Sequence, residues 1–163
     1  VPAGTNLTSA DSMPMTITII NNCCDQNAQA RQVTRVAALI PGTVSFVGVN
    51  SDLEAAGNLI DALDAGQGSP GAVLVNVAPR NGAAKKWENG TPFGYFWYKK
   101  TLVLSTVDGL ALSLVKKLNL AKEIGVLDVA DTVDVMIQKG AIDHALAAHG
   151  LVTWLLVIFG LQL

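Results

Sequence analysis

Polar side chains gather at four places where an apolar run of the sequence stops. Asn21-Asn22-Cys23-Cys24-Asp25 follows Thr16–Ile20, and Asn50-Ser51-Asp52 follows Thr43–Val49. Asn76-Val77-Ala78-Pro79-Arg80-Asn81 closes the run that starts at Gly71, and Ser105-Thr106-Val107-Asp108 closes the one that starts at Thr101. Amides and carboxylates of this kind hydrogen-bond ligand hydroxyls or hold a water. A guanidinium such as Arg80 forks onto a carboxylate or phosphate. Each group alone also reads as a cap or a turn residue. Together they predict a crevice lined by Asn22, Asp25, Asp52, Asn76, Arg80, Asn81, Ser105 and Asp108, because open α/β sheets bind ligands beyond the carboxyl ends of their strands. Phe93-Gly94-Tyr95-Phe96-Trp97-Tyr98 holds five of the chain's nine aromatic residues. Phe93 and Tyr95 are therefore candidates to stack on a ligand ring, with core or interface filling as the other reading.

Other motifs carry less. Gly66-Gln67-Gly68-Ser69-Pro70-Gly71 has the glycine spacing of a dinucleotide cradle. Such a cradle follows a strand and opens a helix, whereas this run follows a helical pattern and opens a strand, so it reads as a turn. Asp128, Asp131 and Asp134 read as helix-start residues rather than metal ligands. His144 and His149 are five apart, a spacing that does not align two ligands on one helix face, so no metal is expected. Adjacent Cys23 and Cys24 fit a disulfide poorly and read as reduced thiols of a cytoplasmic protein.

The elements that must carry these residues alternate. Thr16–Ile20, Thr43–Val49 and Gly71–Val77 read as strands, the last nearly all apolar, as in a sheet covered on both faces. Between them, Asn27–Leu39 has helical spacing through Ala28, Ala30, Val33, Val36, Ala37 and Ile40, and Pro41-Gly42 stops it. The helix from Asp52 to about Asp64 opens on a Ser51…Glu54 capping box. Tyr95–Tyr98 and Thr101–Val107 read as a hairpin across Lys99-Lys100, followed by a helix over Leu110–Leu118, a short strand over Val126–Val129 and helices over Asp131–Lys139 and Ala141–His149. The alternation predicts a single α/β domain with a mostly parallel sheet flanked by helices, spanning residues 15–150. Residues 1–14 lack periodicity and read as a disordered leader outside the fold, because their composition gives them no core face. Residues 151–163 form an apolar segment expected at the core or a subunit interface.

Composition narrows the functions. The 163 residues are 50% hydrophobic and only 15% charged, with net charge −2. That excludes a disordered chain, and the absence of a basic stripe excludes nucleic acid as a partner. From His144 to Leu163 there is no Asp, Glu, Lys or Arg. The strongly apolar part is shorter than a bilayer span, so a membrane partner is not expected and a homo-oligomer is.

In their order, these segments resemble the N-terminal domain of the S-adenosylmethionine (SAM) hydroxide adenosyltransferases, a family that includes the SAM-dependent fluorinase and chlorinase. Thr16–Asn22 is similar to that family's first strand and turn. Asp52-Leu53-Glu54-Ala55-Ala56 is similar to its Asp-initiated helix, Gly71–Pro79 to its Gly-Thr-Val…Asp-Pro-Gly strand, and Val107-Asp108-Gly109-Leu110-Ala111-Leu112-Ser113 to its Pro-Asp-Asn-Gly-Leu-Leu-Ser segment. The likeness covers roughly residues 15–120. It implies a homotrimer that takes SAM as substrate, without a separate cofactor, and displaces methionine from C5′ by hydroxide. It further implies that Asn22 and Asp25 hold the ribose, Asp52 and Arg80 are the catalytic pair, and Asn76, Asn81, Ser105 and Asp108 line the pocket. The chain departs from the family in having Asn22 where the family has Asp, no histidine before His144, and no match to the family's C-terminal barrel. Those departures leave two alternatives, a noncatalytic oligomerising module of the same fold and another α/β enzyme with a nucleotide ligand.

Overall fold

A computed structural model of the chain describes residues 15–78 and 92–127. The elements run β1 (Met15–Asn21), α1 (Gln26–Leu39), β2 (Gly42–Gly48), α2 (Asp52–Gly66), β3 (Gly71–Asn76), β4 (Phe93–Tyr98), β5 (Thr101–Thr106), α3 (Ser113–Lys117) and β6 (Gly125–Leu127). The six strands form one sheet in the order β2-β1-β3-β5-β4-β6. β2, β1, β3 and β5 are mutually parallel, and β4 runs antiparallel to both β5 and β6. The fold is thus the α/β domain that the alternation predicts.

The side-chain period of the central strands sorts the core into two layers. Ile17 and Ile19 of β1 join Ala72 and Leu74 of β3, Leu104 of β5 and Phe93 of β4 beneath Val36 and Ile40 of α1. Ile20, Val73, Val75 and Val103 point the other way and pack under Ala55, Leu59 and Leu63 of α2 and Val115 of α3. The chain moves from β1 outward to β2 and then returns across β1 to β3. Right-handed crossovers in opposite directions place their helices on opposite faces, which is where α1 and α2 lie.

Several boundaries shift from the sequence expectation. β4 begins at Phe93, two residues ahead of Tyr95, because its ladder with β5 extends to Phe93 opposite Thr106. α3 is confined to Ser113–Lys117. The stretch before it turns through Gly109 at φ 71°, and Asn119 at φ 53° follows its end. β6 opens at Gly125 rather than Val126. Of the expected stripe, Ala28 and Val36 of α1 and Ile40 just after it are buried, whereas Ala30 and Ala37 face outward. The expectations for residues 1–14, for Asp128 and beyond, for both histidines and for the apolar segment 151–163 lie outside the described residues.

The hairpin turns on Lys99-Lys100 as expected, with Tyr98 paired to Thr101 and Lys99 at φ 52°. Two-residue hairpin loops favour this left-handed conformation. Lys99 Nζ donates to Gln67 Oε1 and stands 5.3 Å from the centroid of the Tyr98 ring. The Gly66–Gly71 run therefore lies at the amino edge of the sheet, and Gly71 N–H donates to the Lys100 carbonyl at 3.2 Å.

At the far edge, Tyr95 sits opposite Gly125 and its ring covers that glycine. A Cβ at Gly125 would stand 2.3 Å from Cζ and 2.5 Å from Cε1 of Tyr95. Gly125→Ala is expected to destabilise the chain by about 1–3 kcal/mol through this overlap. A urea midpoint matching wild type at equal slope would show that Tyr95 does not pin β6.

Candidate functional site

The crossing between β1 and β3 is the topological switch point of the sheet, and its carboxyl edge is built largely of amides. Asn21, 4% exposed, pairs in register with Asn76 of β3. Its side chain donates from Nδ2 to Gln32 Oε1 at 2.9 Å and accepts at Oδ1 from Cys23 N–H at 2.7 Å. The second bond closes a local Asx turn, the arrangement Asn favours where a strand ends. Gln29 Nε2 donates to the Cys24 carbonyl at 2.8 Å, and Gln32 Nε2 to the Cys23 carbonyl at 3.5 Å. Two glutamines one turn apart on α1 thus hold the turn that leaves β1.

The exposed Asn22 reaches across the switch point, where its Nδ2 donates to the Ala78 carbonyl at 3.5 Å beyond β3. Asp25 caps α1, accepting Ala28 N–H at 3.0 Å on Oδ1. Cys23 is exposed, Cys24 is half-buried against Gly48, and both are free thiols. Asn76 is half-buried at the end of β3.

The second corner joins segments far apart in sequence. Ser51 caps α2 by accepting Glu54 N–H at 3.1 Å, and Glu54 Oε2 accepts the Asn50 N–H at 2.7 Å. The reciprocal bond therefore falls on the residue before the cap rather than on the cap itself. Asp52, 7% exposed, accepts Leu53 N–H on Oδ1 at 3.0 Å and Leu110 N–H on Oδ2 at 2.8 Å. A carboxylate in the first turn also meets the positive end of the α2 dipole. Its charge thereby ties the start of α2 to the segment after β5, where Asp108 lies half-buried.

Between these corners Thr106 extends the β3–β5 ladder. Its hydroxyl donates to the Val77 carbonyl at 3.2 Å and accepts the Val77 N–H at 3.4 Å. The ladder itself ends at Val75 opposite Ser105, so a side chain supplies the next pairing.

The structure brings Asn22, Asp25, Asp52, Asn76 and Asp108 to one edge of the sheet. It does not bring Ser105 or Phe93 to a ligand surface. Ser105 is fully buried and its Oγ donates to the Thr106 carbonyl at 3.0 Å. Phe93 is 3% exposed and belongs to the α1-side core, because its position opposite Thr106 directs the ring inward. Tyr95 covers Gly125 from within β4 instead of standing at the carboxyl edge. Arg80 and Asn81 lie outside the described residues. Gln29 and Gln32 are marked in the sequence only by their place on the first turns of a helix that follows a polar turn, and Thr106 only by its place in the polar run that closes β5.

Among the described residues no group of three His, Cys, Asp or Glu side chains is placed to hold a metal, and no helix is long and apolar enough to cross a membrane. An open groove of about 460 Å³ adjoins the 107–112 segment, lined by Val107, Leu112, Ala121, Ile124 and Val126, with Lys116 and Lys122 supplying its charge. Compared with protein-family models, curated proteins and solved structures, the chain has no match.

Thr106→Val keeps the shape of the side chain and removes both bonds to Val77. The variant is expected to lose about 1–3 kcal/mol, the cost of leaving a buried peptide group unpaired. Urea unfolding monitored by circular dichroism reads the loss, and an unchanged midpoint would show that Val77 finds another partner.

Proposed function

We propose that the carboxyl-edge crevice binds an adenosyl ligand, SAM, and that the chain hydrolyses it by attack of water at C5′. The observation that carries this reading is the Asp52–Leu110 hydrogen bond. It joins two of the segments on which the resemblance to the SAM hydroxide adenosyltransferases rests, the start of α2 and the Val107–Ser113 stretch. The strand order agrees with a ligand at this place, since the switch point between β1 and β3 opens on the same edge.

In this reading Asn22 and Asp25 hold the ribose hydroxyls, and Asn76 and Asp108 line the approach. Arg80, two positions beyond Ala78 in sequence, takes the methionine carboxylate. Asp52 acts as a positioning residue, because both of its oxygens already accept backbone N–H groups. The water oxygen bonds to C5′ as the C5′–S bond breaks. That bond's electron pair passes to the sulfonium sulfur, which leaves as the neutral thioether of methionine, and the water proton is released to solvent. The chain's contribution is to align and partly desolvate the water against C5′.

The double engagement of Asp52 also favours a second reading, a noncatalytic module that binds the adenosyl group without turnover. Incubation of the full chain with SAM, with chromatography for adenosine and methionine, separates the two. Both products appearing together supports hydrolysis, and calorimetric binding without products supports the binding module. Neither heat nor products refutes both. Asn22→Ala is expected to weaken SAM binding about fivefold, the equivalent of one hydrogen bond of ~1 kcal/mol, while the unfolding midpoint stays at the wild-type value.

A further inference from the structure

Among the described residues the sheet ends on β6 at one side and on β2 at the other. β2 at the other edge has seven residues, Gly42-Thr43-Val44-Ser45-Phe46-Val47-Gly48, and none is charged or proline. All seven pair in unbroken parallel register with β1, so no bulge turns the edge away. Gly42, Thr43, Ser45 and Gly48 are exposed, and Val44, Phe46 and Val47 are half-buried. Among the described residues β2 has a strand on one side only. Among the described residues nothing covers its outward peptide groups or completes the burial of Val44, Phe46 and Val47.

The order of residues along β2 is self-complementary about Ser45. In an antiparallel pairing of two copies centred there, Gly42 meets Gly48 of the second copy, Thr43 meets Val47, Val44 meets Phe46, and Ser45 meets itself. Each pairing but the central one occurs twice, as a two-fold interface requires. Val44 and Phe46 pack on the α1 side of the sheet, so the aromatic–β-branched pairs form there and complete the cluster that each copy leaves half covered. Thr43 and Val47 are β-branched residues of nearly equal size and pair on the opposite face. A two-fold axis normal to the sheet also brings the two α1 helices to the same face. The outward positions of α1 include Ala30, Thr34, Ala37 and Ala38, small enough for the helices to approach, and Arg31 can carry its charge past them to solvent.

We propose that β2 pairs with β2 of a second copy of this chain, joining two six-stranded sheets into one through a two-fold axis at Ser45. The contact closes on itself and yields a dimer, whereas the family resemblance implies a trimer. The inference rests on the edge alone and is independent of the SAM reading.

Sedimentation equilibrium of the full chain measures the assembly. The expected mass is twice the chain's 17.0 kDa. Ser45→Lys sets two ammonium groups against each other at the axis and is expected to return the mass to that of one chain, with an unchanged far-ultraviolet circular dichroism spectrum. As a second variant, Ser45→Cys in a Cys23→Ser, Cys24→Ser background is expected to form a covalent dimer under mild oxidation. A wild-type monomer, a trimer, a dimer that Ser45→Lys leaves intact, or a Ser45→Cys chain that does not cross-link overturns the proposal.

Discussion

Parallel strands joined by helical crossovers have to be covered on both faces, and most of this structure follows from that requirement. β1 lies inside the sheet with β2 on one side and β3 on the other, so Ile17, Ile19 and Ile20 are excluded from water whichever face they point to. One helix covers one face of β1 and the next covers the other. A polar side chain has almost no place within such a layer unless its bonds are made to nearby backbone, as Ser105 and Thr106 make theirs. Chemistry is left to the edge where the parallel strands end, and that is where the amides and carboxylates of this chain accumulate.

The same requirement explains how much was legible in the sequence. A strand buried on both faces reads as a continuous apolar run, which marks β3, while β-branched residues mark β1. The capping residue Ser51 announces the start of α2, since a side-chain oxygen ahead of a helical pattern has a defined partner, whereas the cap at Asp25 lies hidden in a polar turn. α3 was misjudged because Leu110, Ala111 and Leu112 continue a helical spacing while their backbone is still turning. The bond from Leu110 to Asp52 spans 58 positions, and no local pattern reports it. Phe93 and Ser105 are buried for a related reason. Residue type marks what a side chain is able to do, whereas register decides which way it points.

The candidate site is held mainly by bonds that sequence spacing does not advertise. Gln29 and Gln32 fasten the turn after β1, Thr106 fastens the chain after β3, and Asp52 fastens the chain after β5. Three strand ends are thus fixed by side chains of other elements, which sets the edge more firmly than loop conformation alone does. Pre-organisation of this kind lowers the cost of ordering groups around a ligand.

β4 runs against the direction of its neighbours, and its turn therefore lies at the amino edge while its start lies at the carboxyl edge. Ala78 leaves β3 at that same edge, and Pro92 enters β4 there. Both described ends of the connection between them therefore lie at the carboxyl edge, next to Asn76 and the turn that leaves β1. A reversed strand in a parallel sheet in this way lets the chain leave and re-enter the sheet on one side.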